Sequence, residues 1–446
     1  MTTAPDRPSL PIPWGENDSL GLDLPPDWPA PEVVRPDLSG VLDDYAAALS
    51  EALDRPEAGA TLGERVGPRS TVAVVVDDPS RWTPVREALP AVLARLHAAG
   101  VKEQDVTISA GVGRHHAVDG PAMRRRVGEE VAARYRCFSP PVDDLSEYED
   151  LGKTSGGVPV RVFRPVVRAD LRVLIGSVLP HLQAGFGGGY KLIFPGTSHR
   201  STLGAIHRRG IDGSSGSTPQ PGADPLDNPM RRAIREAAGK LGPCASLSHL
   251  IGAPGQILRV RFGEPDAVQQ ALSAEAKRRF AAPSREPADV VVAGNHPWPG
   301  DPMQSFKVLI QHRSACRRGR ILVGFFWTDP AEIDRSFPMA GLHAIAGSGA
   351  VGGWTIRRGL AAADLAARAF GSSSAFMIHW ARELVVDREV LVYAPPLFDR
   401  VGPRLGPVRL FGDQARLWEC ARKLLRKQGV ETPRVRVFPQ GGLTYA

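Results

Sequence analysis

The sequence predicts an α/β protein of two domains, with mainly parallel sheets and an interdomain cleft. Three observations carry this expectation. Runs such as "TVAVVVDD" (Thr71–Asp78) are apolar and β-branched without alternation, the pattern of a strand buried on both faces. Such runs alternate with amphipathic helical segments, and strand–helix–strand order implies right-handed crossovers and parallel pairing. At 446 residues the chain exceeds one typical domain.

The elements follow in order. Residues 1–40, rich in Pro, Asp and Gly, are predicted to run over the surface before the first helix, "VLDDYAAALSEAL" (Val41–Leu53), which stops before Pro56. The strand at Thr71–Asp78 leads into an amphipathic helix, "VREALPAVLARLHAAG", closed by Gly100. "DVTISAGVG" (Asp105–Gly113) reads as the next strand and "PAMRRRVGEEVAARY" as the next helix. "LRVLIGSVLP" (Leu171–Pro180) is a third strand; "STPQPGADP" (Ser217–Pro225) is a loop, and "NPMRRAIREAAGKLG" (Asn228–Gly242) a helix with proline near its start. A second set begins at "ADVVVAGN" (Ala288–Asn295) and continues with "RILVGFFW" (Arg320–Trp327) and "REVLVYAP" (Arg388–Pro395). "AGSGAVGGW" (Ala346–Trp354) reads as a loop of that second set. The turn-rich "AAPSREP" (Ala281–Pro287) marks the boundary, which gives domains 1–285 and 286–446. The closing "RVRVFPQGGLTYA" has strand character and is expected to pack back on the first domain.

An apolar fraction of 42% and a charged fraction of 23% are those of an ordinary soluble globular chain. No apolar run is long enough to span a bilayer, and the N-terminus has neither a basic nor an apolar signal region, so a cytoplasmic location with no membrane partner is expected. The cysteines, Cys137, Cys244, Cys316 and Cys420, lie far apart without C-x-x-C spacing and are expected to be reduced, buried thiols. A net charge of +7 is spread without a basic stripe or interleaved aromatics, which argues against nucleic acid and suits a small anionic substrate.

Ligands of open α/β sheets bind beyond the carboxyl ends of the strands. Those ends carry chemistry. The first offers "DDPSRWTP" with Asp78 and Arg81, the second "GVGRHHAVDG" with His115 and His116, the third "LPHLQAGFGGGYK" with His181 and Lys191, and "GAIHRRG" follows with His207. Each has a plainer reading as a helix cap, a surface loop or a flexible connector. Glycines at Gly185, Gly187, Gly188 and Gly189 also let backbone N–H groups approach a phosphate or a flat ring. The run is not a Walker A loop, because Lys191 is followed by Leu192.

Taken together, D-x-x-R, G-x-H, P-H-x-x-A-G-F-x-G-G-x-K and a histidine sixteen residues after that lysine resemble the lactate racemase family. "DNPMRRAIREAA" is similar to a family segment as well, and the resemblance runs from about Val72 to beyond Lys307. The family comprises racemases and epimerases of 2-hydroxy acids that use a nickel-pincer nucleotide (a pyridinium-3,5-bisthiocarboxylic acid mononucleotide carrying nickel). The resemblance implies that Lys191 anchors this cofactor covalently and that His207 completes the nickel coordination. Asp78 would contact its ribose, with Gly187, Gly188 and Gly189 beside its ring and phosphate. His115 and His181 would be the acid/base pair, one on each face of the substrate, while Arg81 and Lys307 would hold the carboxylate and a neighbouring oxygen. It also implies the cofactor-biosynthesis enzymes as partners.

The residue types suit that chemistry. The C–H of a 2-hydroxy acid resists deprotonation, so the implied route removes it as hydride onto the cofactor while a base takes the hydroxyl proton. Histidine titrates near working pH, and inversion needs delivery to either face. A guanidinium fork pairs bidentately with a carboxylate, and neutral imidazole is a good nickel ligand. The chain departs from the family at Gly187, where a serine is usual, at Met303, where an aromatic is expected, and at Trp82, which follows Arg81. These changes make a larger 2-hydroxy acid or a sugar acid as plausible a substrate as lactate. The rival readings are a zinc-dependent hydrolase built on His115, His116, His181 and His207, and a non-catalytic ligand-binding homologue.

Overall fold

A computed structural model describes residues 8–15, 17–113, 117–210, 221–298, 300, 302–336, 349–370 and 375–446. The chain divides into two compact units: Leu38–Arg279, and Met1–Asp37 with Phe280–Ala446.

The unit Leu38–Arg279 is built on a six-stranded sheet in the order Gln256–Gly263, Cys244–Ala253, Leu171–Ser177, Val72–Asp77, Val106–Gly111, Arg136–Phe138. All pairings are parallel except the first, which is antiparallel. Every residue of Val72–Asp77 and Leu171–Ser177 is buried, so these strands show no polar alternation. Successive side chains enter opposite layers. Val74 and Val76 pack with Leu89, Val92 and Leu96 of the helix Val85–Ala98. Val75 joins Phe194, with Ile206 and Ile234 from the helices Arg200–Arg209 and Pro229–Ala238.

From Val72–Asp77 the chain builds outward to Val106–Gly111 and Arg136–Phe138; from Leu171–Ser177 it builds the other way, to Cys244–Ala253. The crossover direction therefore reverses between two adjacent strands. Such a switch point leaves a crevice at the strand carboxyl ends, because neither connection covers it.

The helix expected across "PAMRRRVGEEVAARY" is two, Gly120–Val127 and Glu129–Arg134, because Gly128 sits between them at φ 94°. A left-handed glycine ends the first helix.

The second unit has a seven-stranded sheet in the order Arg404–Leu405, Val408–Phe411, Glu389–Tyr393, Cys316–Phe325, Ala288–Gly294, Val435–Phe438, Glu32–Val33, parallel but for the first pair. Two expectations are corrected here. Part of residues 1–40 is structured: Leu10–Trp14 and Asp18–Leu22 form a hairpin, and Ile12, Leu22 and Trp28 enter a core with Phe325 and Trp418. The Pro and Asp between them hide these few apolar anchors in the sequence. The closing segment supplies Val435–Phe438, hydrogen-bonded between Ala288–Gly294 and Glu32–Val33, which is an interior place in this second sheet. Of "AGSGAVGGW", Ala346–Ser348 lie outside the described residues; from Gly349 the chain is helical to Phe370. Among the described residues no helix is long and apolar enough to cross a membrane. Cys244 and Cys316 are buried free thiols, whereas Cys137 and Cys420 are half-buried.

Burial also sets an acid limit. His249, His296 and His312 are buried, and desolvation draws each down to about 4. The unfolded chain, with histidines near about 6.5, binds more protons than the folded one between these values. Stability present above pH ~6.5 is therefore lost as pH falls towards ~4. Tm should drop through this window; a flat profile would contradict neutral burial of these rings.

Candidate active site

At the first side of the switch point, the chain leaves Val72–Asp77 in a tight turn. The Asp78 carboxylate accepts the Ser80 backbone N–H at 2.9 Å as well as its hydroxyl, and the Arg81 N–H donates to the Asp78 carbonyl at 3.1 Å. This Asx geometry leaves Asp78 buried and Arg81 half-buried. The turn is braced from behind by Arg126, which pairs with the buried Asp77 carboxylate. Arg126 also donates to the carbonyls of Asp77, Arg81 and Thr83, each at 3.0 Å. Burial raises the Asp77 pKa, while Arg126 pulls the other way.

The neighbouring strand ends at Gly111. Arg114, His115 and His116 lie outside the described residues, but the approach to them is fixed. The Gly113 N–H donates to the Gly196 carbonyl at 2.9 Å, and a Cβ on Gly111 would lie 2.8 Å from the Leu192 carbonyl. The strand end at Gly111 and Gly113 thus abuts the turn that follows Lys191. A Cβ on Gly196 would meet the Leu192 carbonyl at 1.9 Å, which only backbone movement could relieve. Gly196→Ala is expected to destabilise the protein by about 1–3 kcal/mol, read as a lowered Tm; a wild-type Tm would contradict this packing.

Beyond Leu171–Ser177, Pro180–His181 pairs antiparallel with Gly185–Phe186. His181 Nδ1 accepts the N–H groups of Gln183 at 3.2 Å and Ala184 at 3.0 Å. An acceptor Nδ1 assigns the proton of the neutral ring to Nε2. The glycines are demanded by the backbone. Gly185, Gly188 and Gly189 have φ of 70°, 77° and 58°, and a Cβ on Gly188 would lie 2.8 Å from the Ser177 carbonyl. Gly189 opens the short 3-10 turn Gly189–Leu192, which presents Lys191 half-buried.

His207 occupies the last turn of Arg200–Arg209. Its Nδ1 lies 2.8 Å from the Leu203 carbonyl. A carbonyl can only accept, so Nδ1 carries the proton and Nε2 keeps its lone pair, the tautomer a metal ligand needs. Gln183 ties this helix end to the histidine loop: its Nε2 donates to the His207 carbonyl at 2.9 Å, and its own carbonyl accepts Asn228 Nδ2 at 2.8 Å.

Asp78, Arg81, His181, Gly187, Gly188, Gly189, Lys191 and His207 all belong to the unit Leu38–Arg279; Asp78 and Arg81 follow the strand Val72–Asp77, His181 follows Leu171–Ser177, Lys191 lies on the 3-10 turn and His207 on the helix Arg200–Arg209. Lys307 belongs to the other unit, in the helix Pro302–Gln311. Its Nζ donates to Gln304 Oε1 at 2.9 Å and stands 5.4 Å from the centroid of the Trp380 ring. Among the described residues no three His, Cys, Asp or Glu come together as a metal-binding group. Sequence reasoning missed Arg126, Gln183, Asn228 and Arg231, which hold the loops. Asn228 alone carried a signal, an N-cap before Pro229, and its side chain does accept the Arg231 N–H at 3.0 Å.

A family model described as the lactate racemase N-terminal domain matches residues 16–218. The lactate racemase of Thermoanaerobacterium thermosaccharolyticum is 25% identical over 324 residues, covering 71% of this chain and 73% of its own. That of Lactiplantibacillus plantarum is 23% identical over 159 residues, 36% of this chain and 37% of its own. In fold, the chain is similar to the lactate racemase apoprotein of T. thermosaccharolyticum, with a TM-score of 0.78 at 19% identity over 98% of this chain and 99% of that one. A Thermotoga maritima protein gives a TM-score of 0.63 at 14% identity, over 89% of this chain and 97% of its own. Over residues 16–218 the chain matches the lactate racemase N-terminal domain, and beyond that stretch it is similar in sequence and in fold to lactate racemases, which are isomerases.

Proposed function

We propose that this protein racemises or epimerises a 2-hydroxy acid, with a nickel-pincer nucleotide anchored on Lys191 and ligated by His207. The observation that carries the reading is the tautomer of His207: its Nδ1 donates to the Leu203 carbonyl, which puts the lone pair of the ring on Nε2. One imidazole is not a complete metal site. It suits a metal that arrives with its own sulfur and carbon donors. The left-handed glycines beside Lys191 fit the same group, since bare backbone can approach a flat ring.

When bound, the cofactor supplies a reversible hydride acceptor for the substrate C–H. The chain's own residues do the rest. Arg81 and Lys307 hold the carboxylate and a neighbouring oxygen, and Asp78 holds the ribose. His115 and His181 exchange the hydroxyl proton on opposite faces. With the loop as it stands, protonating His181 at Nδ1 would break both amide contacts, so the ring offers Nε2–H as a donor to the substrate oxygen. Its turn as proton carrier requires the Gln183 and Ala184 amides to withdraw.

The test is turnover by protein co-expressed with the cofactor-making enzymes, using single enantiomers or epimers of lactate, bulkier 2-hydroxy acids and sugar acids. Inversion at C2 from either direction is expected for at least one. Lys191-modified protein that inverts none of them, or zinc-dependent hydrolysis, would overturn the reading.

A further inference from the structure

Arg231, on the helix Pro229–Ala238, is buried, and its guanidinium is spent on backbone. Nε donates to the Ala184 carbonyl at 3.4 Å, Nη1 to Gly188 at 3.1 Å, and Nη2 to Gly187 at 2.7 Å and to Phe186. Four carbonyls from one five-residue stretch therefore converge on one side chain. The nearest carboxylate influence is that of Asp266, and burial draws the guanidinium down to about 10. A buried cation without a close counter-ion is tolerated only where its N–H groups are satisfied, and these carbonyls satisfy them.

The arrangement fixes direction as well as position. In a trans peptide the C=O and the following N–H point opposite ways. Carbonyls of Phe186, Gly187 and Gly188 turned towards Arg231 send the amides of Gly187, Gly188 and Gly189 away from it. The Gly187 amide indeed reaches the Leu179 carbonyl at 2.7 Å. Gly188 immediately precedes the turn that carries Lys191, and the Lys191 N–H lies 3.3 Å from the Gly188 carbonyl, the same oxygen that Arg231 holds. The stretch also begins at Ala184, whose amide donates to His181.

We propose that Arg231 is a positioning residue for Lys191: from behind the glycine loop it fixes the backbone that aims the lysine amine and orients the His181 ring before any ligand arrives. This rests on Lys191 being the anchoring group. A planar fork is needed because a lysine ammonium, a point donor, cannot span carbonyls spread along the loop.

The test uses the full chain, unloaded, as wild type, Arg231→Lys and Arg231→Met. Amide hydrogen exchange across residues 184–192 is compared with that in Val106–Gly111, and Lys191 acylation by an amine-directed ester is measured by mass spectrometry against the exposed Lys102. In a folded Arg231→Lys protein, exchange across 184–192 is expected to rise about tenfold with little change in the control strand. The Lys191-to-Lys102 acylation ratio should shift several-fold. A folded variant with unchanged exchange and ratio overturns the proposal. If neither variant folds, Arg231 is structural and the proposal falls as well. The readout needs no cofactor, so the proposed reaction succeeds or fails separately, on the mass and turnover of loaded wild-type protein.

Discussion

Lys191→Ala is expected to fold, to carry no covalent adduct and to show racemisation at background level. The argument is local. Lys191 is half-buried on a short turn whose shape is set by neighbouring backbone: the Gly196 N–H donates to the Lys191 carbonyl at 3.2 Å, and Arg231 grips the Gly188 carbonyl. Removing the side chain leaves these backbone bonds in place, so stability should change by no more than about 1 kcal/mol. The proposed chemistry has no such reserve, because its hydride acceptor would belong to the cofactor. Lys191→Arg keeps the charge but lacks the amine and should be equally inactive. Thermal melts, intact mass and turnover together check this; an active Lys191→Ala protein would remove the lysine from the mechanism.

His181→Ala and His115→Ala should each slow inversion by about 10²–10⁴-fold, the usual contribution of a general acid/base. That is about 2.7–5.4 kcal/mol of transition-state stabilisation. Under the proposed pairing both directions must suffer in each variant, since the base for one enantiomer would be the acid for the other. Progress curves from each enantiomer should therefore fall in parallel. A variant that slows one direction alone at equilibrium-consistent concentrations, or that racemises at a wild-type rate, would contradict the paired roles. Reactions in D2O add a second reading: hydrogen returned as hydride leaves C2 unlabelled, whereas direct deprotonation would introduce deuterium.

Much of the fold was legible because the buried parallel strands announce themselves. Val72–Asp77, Val106–Gly111 and Leu171–Ser177 are β-branched runs, and the residues just beyond them carry the candidate chemistry. What stayed hidden is what long-range contact creates. Arg126 and Arg231 sit among other arginines in "RRR" and "MRRAIRE", and nothing local tells a solvated guanidinium from one that clamps a loop. The tautomers of His181 and His207 depend on amides and a carbonyl two to four residues away, so they follow from turn and helix geometry, not from residue type. The strand Glu32–Val33 pairs with Val437 across some four hundred residues, a contact that no local pattern encodes.

The most direct measurement is peptide mapping with metal analysis of wild-type protein purified from cells that also express the cofactor-making enzymes. The account predicts a nucleotide-sized mass increment confined to the peptide containing Lys191, with nickel bound in equal amount and lost on His207→Ala. Unmodified Lys191 with stoichiometric zinc, or an adduct on another lysine, would contradict it.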